Sequence, residues 1–105
     1  MPNLRELHMT YGIGGPLPEF LRNLRSLRVL DSSSNSLVGP LPTFHGKLTH
    51  VDLSLNNLNG SVPESLRRLR SLQVLNLSRN NFASPIPTFL GNLTSLDLSS
   101  NKLTS

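Results

Sequence analysis

A chain of 105 residues is enough for one domain and too short for two ordinary ones. It contains no cysteine, which excludes a disulfide framework and a thiolate metal site; this fits a reducing compartment or an internal piece of a secreted protein. The net charge of +4 raises nucleic acid as a partner, but no aromatic platforms interleave with the cations, and that class is set aside.

No apolar run approaches the ~18 residues of a membrane span. The opening MPNLRELHMTYG has no hydrophobic centre of a signal peptide. The expectation is that any membrane attachment comes through parts of a longer chain. Leucine supplies 23 residues against two isoleucines and five valines, which suggests one slot filled repeatedly.

The first unit spans 4–26. Leu4, Leu7 and Met9 begin it and GPLP at 15–18 follows. It is one residue short between Met9 and Ile13, so Tyr11 or Gly12 stands where later units have asparagine. The second, 27–47, runs Leu27, Leu30, Ser32, Asn35, Leu37, Gly39, Leu41, Pro42. The third, 48–71, runs Leu48, Val51, Leu53, Asn56, Leu58, Gly60, Val62, Pro63. The fourth, 72–92, runs Leu72, Leu75, Leu77, Asn80, Phe82, Ser84, Ile86, Pro87, with serine in the glycine slot. A partial fifth, 93–105, keeps Leu93, Leu96, Leu98, Asn101 and Leu103.

Asn35, Asn56, Asn80 and Asn101 lie 21, 24 and 21 residues apart, while Pro18, Pro42, Pro63 and Pro87 lie 24, 21 and 24 apart. The three-residue difference is one turn of a 3-10 helix, so a unit can lengthen by a leucine triplet without losing phase. The leucines of LRRLRSLQVL recur every three residues, a stripe that would drift around a continuous α-helix. Leu75-Asn76-Leu77 alternates as a short strand with leucines inward. Asn35, Asn56, Asn80 and Asn101 then turn inward. Their amides supply donors and an acceptor to turn backbone with no sheet to join. Loss of one is expected to cost about 1–3 kcal/mol.

The pattern LxxLxLxxNxLxGxIP, with GPLP, GSVP and SPIP, resembles plant-type leucine-rich repeat proteins over roughly residues 4–105. The resemblance implies an α/β solenoid, with short parallel strands on a concave face and 3-10 or loop segments on a convex face. It implies a protein- or peptide-binding module from the ectodomain of a receptor-like kinase or receptor-like protein, in signalling or defence, extracellular and glycosylated. The alternatives are a secreted inhibitor of a cell-wall polygalacturonase and a truncated product without activity. Neither end has the cap such solenoids need. The expectation is therefore a fragment, able to self-associate through exposed leucine ends.

Outward strand positions form columns. His8, Asp31, Asp52, Asn76 and Asp97 make one; Thr10, Ser33, Ser54, Ser78 and Ser99 make another, and both are read as part of the repeat's own pattern. The variable columns are Glu6, Val29, His50, Val74, Ser95 and Tyr11, Ser34, Leu55, Arg79, Ser100. From them Tyr11, His50, Leu55, Val74 and Arg79 are the candidate partner contacts. His50, Asp52 and Ser54 imitate a catalytic triad, but same-face neighbours on a strand lie about 6.6 Å apart, so no catalytic residue is assigned. Asp31 beside Asp52 invites a cation, yet such acid ladders need none; no metal or cofactor is expected. Arg22, Arg25, Arg28 and Arg67, Arg68, Arg70 are read as solvated residues on the back, with an acidic partner as the alternative. Three sequons, at Asn59, Asn76 and Asn92, are candidate glycosylation sites, Asn59 and Asn92 on turns or the back and Asn76 on the concave face.

Overall fold

The structure is a computed structural model that describes residues 4–8, 14–15, 26–41, 44, 47–62, 66, 68–83 and 93–102. Tyr11, Asn92, Met9, Ser84, Leu103, Arg22, Arg25 and Arg67 lie outside the described residues. The chain is a solenoid with two parallel sheets. Strands β1 (Glu6–His8), β3 (Val29–Asp31), β5 (His50–Asp52), β7 (Val74–Asn76) and β9 (Ser95–Asp97) form a five-stranded sheet in that order. Strands β2 (Gly14–Gly15), β4 (Ser36–Gly39), β6 (Asn57–Ser61) and β8 (Asn81–Ala83) form the other, in that order. Each of the first four units thus contributes one strand to each sheet, the partial fifth contributes β9 to the first sheet, and no strand pairs with its sequence neighbour.

Register follows the repeat. Leu7 pairs with Leu30, Leu30 with Val51, Val51 with Leu75 and Leu75 with Leu96. These residues point inward between outward neighbours, as period-two alternation requires. Leu30, Leu37, Leu53, Leu58, Leu75, Leu77 and Phe82 are wholly buried in one continuous core. Burial of each such side chain contributes about 1.5–3 kcal/mol. In the third unit the chain is 3-10 around Leu66 and Arg68. Leu69 N donates to Leu66 O at 3.2 Å and Leu72 N to Leu69 O at 3.0 Å, the three-residue step expected of the leucine triplet.

The second sheet adds to the expected architecture, which placed strands on the concave face alone. The residues after each asparagine are strands, and Gly39 and Gly60 sit in them at φ of 88° and 83°. Those left-handed values suit a residue without Cβ. The first-sheet strands also lie one residue earlier than Leu75-Asn76-Leu77: β7 is Val74–Asn76, and Leu77 already belongs to the turn.

At the turns the asparagine amides bind across units. Asn56 Nδ2 donates to Ser32 O of the preceding unit at 2.9 Å and to its own Leu53 O at 3.1 Å and Ser54 O at 3.0 Å. Asn56 Oδ1 accepts from Leu37 N at 3.1 Å. Asn80 repeats this with Leu53 O (2.9 Å), Leu77 O (3.2 Å), Ser78 O (3.1 Å) and Leu58 N (3.1 Å). Asn101 does so with Leu77 O (2.9 Å), Leu98 O (3.1 Å), Ser99 O (3.2 Å) and Phe82 N (3.0 Å). Asn35 donates within its own unit to Ser32 O, Ser32 Oγ and Ser33 O. Each of the three later amides therefore joins its own turn to the one before it.

The residue preceding each asparagine is left-handed. Ser34, Leu55, Arg79 and Ser100 have φ of 57–58°. Leucine disfavours that region, where its Cβ crowds the following carbonyl. The ladder bonds Leu55 N to Ser78 O (3.1 Å) and Arg79 N to Ser99 O (3.0 Å) hold the geometry.

Candidate functional site

The outward residues of the five-stranded sheet align in two rows. Glu6, Val29, His50, Val74 and Ser95 are in register, as are His8, Asp31, Asp52, Asn76 and Asp97. Between the rows lies a groove of about 310 Å³. Val29 and Val74 supply apolar walls, the backbone level is formed by Leu30 and Val51, and His8, Asp31, His50 and Asp52 supply polar groups.

In the second row, from Asp31 onward, one side-chain oxygen per residue serves the fold. Asp52 Oδ1 accepts from Ser54 N at 3.0 Å and Ser54 Oγ at 2.7 Å. Asn76 with Ser78 and Asp97 with Ser99 have the same two distances, and Asp31 with Ser33 is slightly longer at 3.2 and 3.1 Å. These bonds overturn two expectations. Ser54 and Ser78 are buried rather than outward, and Asp52 meets Ser54 directly. The 6.6 Å strand estimate fails because β5 ends at Asp52 and the chain turns there. The contact still makes no triad: Ser54 donates to the carboxylate, with no imidazole between them.

His50 Nδ1 lies 2.9 Å from the Thr49 hydroxyl, which also donates to Arg28 O at 3.1 Å. His8 sits between carboxylates, Nε2 3.3 Å from Glu6 Oε1 and Nδ1 3.8 Å from Asp31 Oδ2. The hydrogen bond from the Ser99 hydroxyl, followed by that from the Ser99 backbone and a smaller contribution from Arg79, lowers the Asp97 carboxyl below the usual carboxylate range. Among the described residues, no cluster of three histidine, aspartate or glutamate side chains is arranged to hold a metal ion.

Of the candidate contacts, His50 and Val74 are paired neighbours on β5 and β7 and both line the groove. Leu55 and Arg79 are exposed but sit in the left-handed turns beyond those strands, not on the strands themselves. Tyr11 lies outside the described residues. Val29, His8 and Asp31 complete the groove without having been singled out. The column pattern contained them, but only the side-by-side sizes of Val29, His50 and Val74 reveal where the depression falls.

Asn59 is exposed within β6, a strand rather than a turn, and Asn76 is half-buried on β7; Asn92 lies outside the described residues. Arg68 and Arg70 are exposed. Arg28 is not on the back: it immediately precedes β3, and its N–H donates to Arg5 O at 2.7 Å.

A leucine-rich repeat family model matches residues 47–69 and 71–93, and a second leucine-rich repeat model matches 92–105, so that together they take in more than half of the chain. A search of curated proteins found no match. Among solved structures, a chain of the BIR3–SERK2 complex from Arabidopsis thaliana is 36% identical with a TM-score of 0.82, over 88% of this chain and 53% of that one. A chain of the Arabidopsis receptor kinase HAESA in complex with the peptide hormone IDA and the co-receptor SERK1 is 30% identical with a TM-score of 0.89, over 97% and 18%. A chain of the plant peptide hormone receptor RGFR1 in complex with RGF2 is 35% identical with a TM-score of 0.86, over 97% and 18%. The present chain spans about half the length of the first and under a fifth of the other two.

Proposed function

The chain belongs to the leucine-rich repeat family, and on that footing we propose that it is a binding module, not an enzyme, whose five-stranded sheet face receives a peptide or protein segment. The observation that carries this is the groove between the two outward rows, with valine walls and flanking histidine and aspartate side chains. An apolar side chain of the ligand seats between Val29 and Val74. A donor or cation beside it meets Asp31 or Asp52, whose other oxygens already hold the serines, and the His50 imidazole offers a further hydrogen bond. Leu55 and Arg79 extend the contact beyond the strands.

The similar receptor chains support a place in a receptor-like ectodomain, outside the cell and acting in signalling; a role in defence is the further reading the repeat class carries. In that setting Asn59 carries a glycan. A glycan on Asn76 would obstruct the groove, whose neighbouring strand it occupies.

The test is selection of binders from a displayed random peptide library on the immobilised chain, followed by affinity measurement with variants. Val74→Asp and His50→Ala should each weaken selected peptides by about tenfold or more, as expected for groups at the centre of a contact. Arg68→Gln, on the 3-10 segment away from this sheet, should leave affinity unchanged. Selected peptides that bind all variants equally would overturn the assignment.

A further inference from the structure

A second depression lies at the start of the same strands, away from the groove. It has a volume of about 150 Å³ and is lined by Arg5, Ser26, Arg28 and Lys47. Two successive units contribute to it, beside the starts of three neighbouring strands. Arg5 immediately precedes β1, Arg28 precedes β3, and Lys47 stands three residues before β5. The backbone fixes the two arginines as neighbouring rungs. Arg5 O accepts from Arg28 N at 2.7 Å and from Val29 N at 3.0 Å. Their side chains therefore start about 4.8 Å apart, one inter-strand spacing.

Among the described residues no carboxylate pairs with Arg5, Arg28 or Lys47. The nearest acid in sequence, Glu6, has its carboxylate against His8. The following units do not continue the charge: Thr49 and Thr94 hold the equivalent position, and each turns its hydroxyl back onto the ladder, to Arg28 O and Gln73 O at 3.1 Å. Three like charges gathered at one cleft repel one another. A bound anion relieves that repulsion.

We propose that this cleft is an anion site for a tetrahedral oxyanion, phosphate or sulfate, either free or as a monoester on a larger ligand. The two guanidinium forks donate paired hydrogen bonds to its oxygens, which a point charge cannot do. Lys47 supplies the third charge and the Ser26 hydroxyl a further donor. The site is independent of the groove proposed for peptide binding, and stands or falls separately from it.

The experiment is calorimetric titration of the full chain with inorganic phosphate, inorganic sulfate, phenyl phosphate and phenyl sulfate, at constant ionic strength held with sodium chloride. Saturable binding of at least one ion is expected. Arg28→Gln should weaken it about tenfold or more, the consequence of losing charge-assisted hydrogen bonds. Arg28→Lys should weaken it less, and the Arg5→Gln/Arg28→Gln double variant should abolish it. Arg68→Gln removes the same charge from outside the cleft and should change nothing. Tighter binding of the phenyl esters supports the site as a reader of a modified ligand, and tighter binding of the inorganic ions supports a free-ion site. Absence of saturable binding, or equal weakening by Arg68→Gln, overturns the proposal.

Discussion

Replacing Asn80 by leucine tests how the turns are held. Asn80 is 6% exposed, and its amide serves three carbonyls and one N–H. Leucine fills a similar volume and serves none. Leu58 N is then buried without its acceptor, and Leu53 O loses the donor that reached it from the next unit. One orphaned buried donor costs about 1–3 kcal/mol and the lost bonds add roughly 1 kcal/mol, so the expected destabilisation is about 2–4 kcal/mol. For a domain of this size that lowers the melting temperature by about 10–20 °C. Asn101→Leu is the internal comparison: Asn101 makes the same four bonds but is only half-buried, so water can replace them. Its loss should be less than half that at Asn80. Urea denaturation followed by circular dichroism measures both. Equal losses at the two positions, or a loss under about 1 kcal/mol at Asn80, would refute the reasoning that buried cross-unit bonds hold the turns.

Leu55→Asn should stabilise the chain by about 1 kcal/mol in the same denaturation assay, because asparagine tolerates the left-handed backbone that leucine occupies at φ 58°. It should also weaken peptides selected on the sheet face, and a destabilised variant would contradict the strain argument. For Asp97, the folded carboxyl sits below its ordinary value, so its contribution to stability is present above about pH 4 and is lost as pH falls through the lowered folded value. Ser99→Ala should raise the Asp97 carboxyl toward the ordinary value in a carbon-detected NMR titration; an unmoved titration would rule out the serine as the main cause. In a secretory host, glycopeptide mapping should find Asn59 occupied more than Asn76, whose side chain is engaged by Ser78. The reverse order would refute that reading.

The repeat, the parallel sheet and the role of its leucines were legible because each slot recurs with one phase. A single Leu75 would say little, but Leu30, Val51 and Leu75 at matching positions define an inward row. The three-residue insertions likewise announced a 3-10 step at Leu66, Leu69 and Leu72. The second sheet was not legible. Its strands are short, carry glycine, and alternate weakly, as in NLNGS of β6, where Leu58 alone is buried. The serine column was misread for a related reason. Alternation predicts outward residues only while the strand lasts, and the strands end at Asp31, Asp52 and Asn76. The side chains of Asp52 and Asn76 then draw Ser54 and Ser78 into the turn. The groove is a product of lateral neighbours from separate units, a relation that no single unit's sequence contains.

The direction of the asparagine bonds has a consequence for synthesis. Leu37 N waits for Asn56, Leu58 N for Asn80, and Phe82 N for Asn101. Each turn is therefore completed by the unit made after it. At ~5–20 residues per second, a unit follows its predecessor by about one to five seconds. During each such interval a ribosome-bound chain holds one finished edge and one turn still bonded to water. Assembly proceeds like a row of latches, each closed from the carboxyl side, so premature release at any unit leaves the last turn open.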